Sequence, residues 1–478
     1  MAFSGKLPPE PVSLALPDGR PPSVRNPRSW LLISTLVATE ALYLALLRFD
    51  ANSGLAPVLT FLTALAALFF LYGVAWWSAR GDGSHATLAW IWAGGVLFRL
   101  TLLPAGLPFG EDAGSKLALL GEDARGAHVT YERFLLYDSD IWRYLWDGHV
   151  AAAGVSPYRY APSDPALDFL TDDDELWSDV RDNVNHPDVP TIYPPLSQMF
   201  FRLSHAIAPG SVVTMKALVT VFDLGAAGFL ALALSALGRS PAGVLLYLWN
   251  PLVVKVFAGS GHVDSLLVLA LVALTFFLAA GRKSGAAFVY GLSVLTKIAP
   301  VVLLPFVSRR LGWRQTALAI SVVLLGYGVY AWDEGGRVLT GLFVFGRNWQ
   351  FNAGPYALAA SLFPDALARV LSGVALAVTI VLLARADDGR PSSFAKPAAA
   401  ALGLLIVLGP TAMPWYVSWV LPLAILAGQR VWLIHSGLVC LAFHVMIDGE
   451  ERSSVLALEY GALAFALLSE SFHRTKGG

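Results

Sequence analysis

Long uninterrupted apolar runs constrain this chain more than any other feature. The first, WLLISTLVATEALYLALL, starts at Trp30, and others of similar length recur to the C-terminus. About 18–20 apolar residues let a helix cross roughly 30 Å of hydrocarbon. In lipid every backbone amide must be satisfied within the protein, which leaves helices or closed barrels. The runs are continuous rather than alternating, so the expected fold is an all-α polytopic membrane protein. Composition agrees: 56% of residues are hydrophobic, 14% are charged, and mean hydropathy is +0.60. A formal net charge of −1 gives no hint of nucleic acid as a partner. The single cysteine, Cys440, excludes an intrachain disulfide and a cysteine-rich metal site.

Residues 1–29 are polar and Pro-rich, without a signal-peptide core or cleavage site, and read as a cytoplasmic tail. Short basic connections should face the cytoplasm. They contain Arg80, Arg239, Arg282, Lys283, Arg309, Arg310, Arg314, Arg385, Arg390, Lys396 and Arg430. Spans are expected near 30–48, 57–78, 86–104, 212–236, 241–257, 262–280, 315–333, 360–385, 396–409, 416–428, 431–447 and 454–471. Between Arg282 and Arg309 about 25 residues must leave and return, so a pair of short helices or a re-entrant hairpin is expected. That makes about 12–14 crossings, with both termini inside. Residues 30–85 form two N-terminal spans, 86–430 a core, and 431–478 a C-terminal hairpin and tail. The opposite face receives an acidic loop at 105–191, expected to carry amphipathic helices. A loop that long in a compact domain usually carries function. Its tract TDDDELWSDVRD (171–182) reads as a solvated face.

Within that loop lies LYDSDIWRYLWDG (136–148). From Ser139 to Gly154 the pattern fits an amphipathic helix, with Ile141, Trp142, Leu145 and Trp146 on one face and Asp140, Arg143 and Asp147 on the other. Such a helix would lie on the membrane with its tryptophans at headgroup level. Asp138 or Ser139 would cap it, and Asp140 would favour the positive end of its dipole. Alternatively one carboxylate serves as a general base, or Asp138 and Asp140 together hold a divalent cation such as Mg or Mn. TIYPPLSQMFF (191–201) puts Tyr193 at a Pro-Pro break where the chain returns to the membrane. WNPLVVKVFAGSGHVDSL (249–266) sets His262 and Asp264 at a turn, where polar side chains commonly meet water. Lys255, in the last turns of a span, can snorkel to the interface.

Lys297 is the most informative single charge. It lies within an apolar run and is followed by Pro300 and Pro305. Intramembrane ionisable residues are functional candidates by default. This one is suited to a phosphate entering from lipid, or to pairing with an aspartate such as Asp223. GRNWQFN (346–352) adds Arg347 and Asn348 beside aromatics, a guanidinium being suited to phosphate. PWYVSW (414–419) adds Trp415, Tyr416 and Trp419, which suit either sugar rings or an interfacial belt.

In this order the pieces resemble the GT-C superfamily of polyprenyl-phosphate-sugar-dependent glycosyltransferases, most of all the GPI mannosyltransferase I catalytic subunit and related prokaryotic mannosyltransferases. The likeness runs from about residue 86 to 430. It rests on Asp138 and Asp140 as a D-x-D, GVSPY at 154–158, Tyr193-Pro194, Phe222-Asp223, WNPLVVKVFAGSGHVD, Lys297 to Pro300, Arg347-Asn348 and WYVSWVLPL. The chain departs from the pattern in two additional spans before the D-x-D, in an acidic insertion between Pro162 and Thr191, and in Tyr-Pro-Pro where the family has Tyr-Thr-Pro.

The resemblance implies a GT-C-type bundle that transfers a hexose, with mannose expected, from a polyprenyl-phosphate donor to a lipid or glycan acceptor. Transfer would occur with inversion on the non-cytoplasmic face; the Ala-, Gly- and Arg-rich composition points to a prokaryotic plasma membrane, with the endoplasmic reticulum as the alternative. Asp138 or Asp140 is the expected base, with Asp138 preferred. Lys297 and Arg347 are expected at the donor phosphate, and Tyr193, His262, Asp264, Asn348, Trp415 and Tyr416 at sugar or acceptor. A divalent cation at Asp138 and Asp140 is allowed but not required. Competing readings are a transporter or lipid flippase, a glycan ligase using a lipid-diphosphate donor, and a non-catalytic accessory subunit.

Overall fold

The computed structural model describes residues 27–47, 54–105, 139–172 and 174–476. Regular structure among them is helical, apart from one isolated β-bridge between Phe351 and Thr411. Among the described residues seven helices are long and apolar enough to cross a membrane: Pro27–Leu47, Leu55–Ala79, Val212–Ala236, Trp313–Asn348, Asp365–Ala386, Pro391–Leu408 and Ser453–Glu470. A bent pair, Pro241–Leu248 and Pro251–Gly259, raises this to eight if counted as one span. Asp264–Ala279, Pro414–Ala427 and Val431–Ile447 are shorter apolar helices. The chain is an integral multi-pass membrane protein. Among the described residues the full-length helices are fewer than the 12–14 crossings expected, because several apolar runs are broken before they reach span length.

Asn250-Pro251 makes one such break. Proline cannot continue the preceding helix. The Asn250 side chain takes over instead, accepting from the amides of Leu252 and Val253 at 3.1 and 3.4 Å while donating to Ser436 Oγ at 2.9 Å. The two halves meet at 59°. A π-helical turn at Lys255–Gly259 then delivers the chain to His262. Lys255 does not snorkel: it is buried, with Nζ 4.5 Å from the centroid of the Phe443 ring.

The 282–309 region forms the expected pair of short helices. Lys283–Thr296 ends at Lys297, a 3-10 turn covers Ala299–Leu303, and Leu304–Leu311 follows. Tyr290 Oη donates to Pro300 O at 3.2 Å, holding the break against the first arm. At the centre of the bundle, Asp264–Ala279 packs on Val212–Ala236, Lys283–Thr296 and Val417–Ala427. It is apolar on all sides after its first two residues apart from Thr275, as a fully enclosed helix should be. Trp313–Glu334 and Asp365–Ala386 instead expose Leu324, Leu325, Val329, Val370 and Leu382, the surface expected of helices that meet lipid.

A buried polar knot ties the early spans to this centre. Arg99 is fully buried and ion-paired with Asp223, and it also donates to Gly95 O and Leu248 O, both at 2.8 Å. Tyr247 Oη donates to the second Asp223 oxygen at 2.7 Å. Asp223 is thus the partner of Arg99 rather than of Lys297. Removing one member of a buried pair strands the other charge, at a cost of roughly 3–5 kcal/mol. Asp223→Ala is therefore expected to lower the thermal midpoint of the detergent-solubilised protein by many degrees. A midpoint within a degree of wild type would show the knot to be dispensable.

Candidate active site

The helix Asp140–Ala152 carries the site, and its surroundings differ from the interfacial position expected. Both of its faces are buried in protein. Ile141, Trp142, Leu145 and Trp146 pack into the core, so the tryptophans meet protein and not lipid headgroups. Gly148 is required there, because a Cβ would lie 2.5 Å from Phe201 O on the helix Pro195–Ile207. The polar face is equally engaged. Asp147 accepts from Gln198 Nε2 at 2.9 Å, and that same nitrogen lies 2.8 Å from Thr191 Oγ1. Burial pushes the Asp147 carboxyl above its ordinary range. Asp147 therefore joins two helices and stands apart from the cavity.

The far end of this helix meets the acidic segment. His149 stacks on Trp177 at 3.6 Å, with Nδ1 3.2 Å from His205 Nε2. Burial, then the neighbouring His149, brings His205 down to about 4, so the contact is between neutral rings near pH 7. TDDDELWSDVRD is only partly a solvated face: Glu175–Asp182 is a helix capped by Asp174, with Trp177 and Val180 buried against the core.

Asp140 opens the helix. Its Oδ1 accepts from Asn185 Nδ2 at 2.8 Å, and its Oδ2 from Tyr193 Oη at 3.3 Å. Ser139 makes no side-chain cap, and Asp138 lies outside the described residues. Tyr193 is fixed from several directions. Tyr158, from GVSPY, donates to Tyr193 O at 2.8 Å, and Tyr144 Oη lies 3.5 Å from Tyr193 Oη. Pro195 occupies the first turn of the following helix, where a missing amide hydrogen is harmless.

His262 and Asp264 do not simply meet water; both are buried. The His262 ring stacks on Trp415 at 4.0 Å, and its Nδ1 lies 3.7 Å from Asp140 Oδ2. Asp264 Oδ1 accepts from Trp419 Nε1 at 2.6 Å and lies 3.2 Å from Lys297 Nζ. The ammonium sits in an aromatic cage, 5.4, 5.3 and 5.7 Å from the ring centroids of Tyr193, Tyr416 and Trp419. Such rings favour a cation by their quadrupole. Residues from five separate stretches thus converge: Asp140, Tyr193, His262 with Asp264, Lys297, and the 414–419 aromatics.

Two cavities meet at this cage. A polar one of about 200 Å³ is lined by Asp140, Arg143, Asn185, His186, Trp349 and Trp415 among others. An apolar one of about 360 Å³ is lined chiefly by Ile298, Ala299, Val302, Leu342, Leu405 and Ile406. Tyr193, Lys297, Phe345 and Tyr416 line both. A larger cleft, about 1050 Å³, runs between other helices past Met199, Leu203, Phe229 and Phe277. Asp140, Lys297 and the cage do not line it.

Arg347 and Asn348 are exposed and line neither cavity, although their neighbours Gly346 and Trp349 do. Among the described residues there is no group of three or more His, Cys, Asp or Glu side chains placed to hold a metal. Asn185 and His186 line the polar cavity, with Trp349 of GRNWQFN, and neither is singled out by the sequence. The only signal there was DNVNHPDVP, a stretch rich in turn formers.

Residues 134–312 match the family described as alpha-(1->6)-mannopyranosyltransferase, N-terminal domain, and residues 365–470 match the MptB C-terminal domain. Together these cover more than half of the chain, and the first includes the acidic segment at 163–190 that had read as an insertion. No curated protein and no solved structure matches the chain. With its membrane-spanning helices and the two matched domains, the chain belongs to the alpha-(1->6)-mannopyranosyltransferase family and is a membrane mannosyltransferase.

Proposed function

We propose that the protein transfers mannose from a polyprenyl-phosphate-linked donor to a hydroxyl of a lipid-linked or glycan acceptor, on the non-cytoplasmic face of a prokaryotic plasma membrane. The observation that carries this reading is the position of Lys297. It stands where the apolar cavity joins the polar one that holds Asp140. A donor with a prenyl chain on one side of its phosphate and a sugar on the other has this same order of chemistry. The chain would occupy the apolar cavity, the phosphate would meet Lys297, and the sugar would lie against Tyr193, Tyr416 and Trp415.

In the reaction the acceptor oxygen attacks the anomeric carbon as its proton passes to Asp140. The bond from that carbon to the phosphate oxygen breaks, and polyprenyl phosphate leaves. A base must lie within hydrogen-bond reach of the hydroxyl it serves. Asp140 Oδ2 faces Tyr193 and His262 at one wall of the polar cavity, which supports it in this role. Lys297 stabilises the charge that develops on the phosphate. Asp264 aims Lys297, and His262 and Tyr193 offer partners to sugar hydroxyls. The family's α-(1→6) product, made by a single in-line displacement, calls for a β-linked donor. The leaving group is a phosphomonoester, so a divalent cation is not needed to neutralise a diphosphate.

The test is a transfer assay with purified protein, membrane lipid extract and radiolabelled polyprenyl-phosphate mannose, glucose or arabinose. Label is expected in the lipid or glycan fraction from the mannose donor, and turnover is expected to survive EDTA. Transfer only from a nucleotide sugar would overturn the donor assignment. Loss of turnover in EDTA, restored by Mg or Mn, would overturn the metal-free reading.

A further inference from the structure

We propose that Asn185 and His186 build the acceptor side of the polar cavity: Asn185 as a positioning residue for Asp140, and His186, with Trp349, as the wall against which a terminal pyranose of the acceptor lies. This rests on the transfer reaction proposed above.

One arginine organises the segment. Arg143, on the Asp140 helix and three residues further along, donates to three backbone carbonyls: Val189 O at 3.0 Å, Asn185 O at 3.1 Å and His186 O at 2.9 Å. Residues three apart on a helix share a face. The base and the clamp that locates its partner are therefore carried by one rigid element. The segment is tied down again outside the cavity. Ser163 N donates to Pro187 O at 3.0 Å and Ser163 Oγ to Asp188 Oδ1 at 2.8 Å. Arg181 reaches Pro162 O at 2.6 Å and Asp164 O at 3.1 Å.

The product of these restraints is a specific local geometry. The Asn185 amide lies 2.8 Å from Asp140 Oδ1 and fixes one carboxylate oxygen. The other oxygen is left on the Tyr193 and His262 side. His186 is held at φ 52°, a left-handed conformation uncommon for a side chain with a Cβ. Such residues persist where surrounding contacts over-determine them, and they cluster at functional sites. The His186 ring meets Trp349 edge-on, with centroids 4.3 Å apart.

Position within the cavity separates donor from acceptor. Lys297, Tyr193, Phe345 and Tyr416 line both cavities, as groups that follow a lipid-borne donor should. Arg143, Asn185, His186 and Trp349 line only the polar one. Asp140 touches both sets, through Tyr193 and Asn185. The nucleophilic hydroxyl must come to Asp140 from the side the donor does not occupy. The His186 and Trp349 rings found there suit a sugar face.

The test uses the full-length enzyme in detergent or nanodiscs, with polyprenyl-phosphate mannose and a synthetic α-(1→6)-linked dimannoside carrying an alkyl tail as acceptor. Asn185→Ala is expected to lower kcat roughly tenfold or more, because a donor to a charged group is lost. It should also move the acid limb of the kcat/KM profile to higher pH, since a carboxylate deprived of a hydrogen bond holds its proton more tightly. Asn185→Asp should do both more strongly. His186→Gly removes the ring at a backbone conformation glycine accepts without strain. It is expected to raise the acceptor KM several-fold at unchanged donor KM. Asn185→Ala with a pH profile superimposable on wild type, or His186→Gly altering donor rather than acceptor KM, overturns the inference. Asp140→Asn is run alongside. If that variant keeps turnover, the base assignment falls and takes the inference with it. If it is inactive while the Asn185 variants behave as wild type, only the inference falls.

Discussion

Asp140→Asn is expected to lower kcat by roughly a hundred- to ten-thousandfold, the usual contribution of a positioned general base. The substitution is close to isosteric, and the side chain is only partly buried. Its amide oxygen can still accept from Asn185, so the helix Asp140–Ala152 should stay in place and the thermal midpoint should hold. Substrate KM values should move little, because the carboxylate gains its advantage when the proton moves rather than when the sugar binds. Single-turnover transfer from labelled donor separates the chemical step from carrier release. Near-normal turnover in the variant would remove Asp140 from the chemistry. The base would then have to be sought at Asp138, which is outside the described residues.

Lys297→Met should strike the donor. A hydrogen bond to a charged group contributes about 1.5–3 kcal/mol, which corresponds to roughly 10–150-fold in donor affinity. Part of the effect should appear in kcat, because positive charge also stabilises the departing phosphate. Acceptor KM should stay near wild type. Methionine fills similar space inside the cage of Tyr193, Tyr416 and Trp419, but it leaves the buried Asp264 carboxylate without its cation and held by Trp419, so the thermal midpoint is expected to fall as well and is measured alongside. Lys297→Arg should recover donor binding only in part, because a planar fork replaces a compact ammonium. Donor KM and kcat both within twofold of wild type in Lys297→Met would eliminate the phosphate role.

How far these residues could be read from sequence depends on how local their reasons are. The break at Lys297 was legible, because two prolines in a run too short for two spans leave few alternatives. The Tyr193-Pro-Pro start of a helix was legible for the same reason. The role of Trp142 and Trp146 was not. A tryptophan on an amphipathic helix looks the same whether it meets headgroups or, as Trp146 does, His149 and Arg181 within the protein. His262 and Asp264 looked like turn residues in water, and only the packing of 414–419 over them shows that they are enclosed. Asn185 was hidden most completely. What brings it to Asp140 is an arginine more than forty residues earlier that binds backbone carbonyls, which carry no side-chain signature. Arg347 illustrates the converse. Its neighbours line the cavities, yet its own side chain is directed elsewhere.

The apolar cavity beside Lys297 has a consequence for how such an enzyme would be measured. One of its lining residues, Ile298, is exposed on the surface of the membrane bundle. A donor would then be taken sideways from the bilayer rather than from bulk water. Saturation would follow the mole fraction of carrier lipid in the leaflet, not its amount per volume. Diluting the donor with inert phospholipid at constant total donor should slow turnover, while diluting the vesicles in buffer should leave each enzyme's rate unchanged. Supply of substrate becomes a two-dimensional problem, set by the composition of the membrane in which the protein sits.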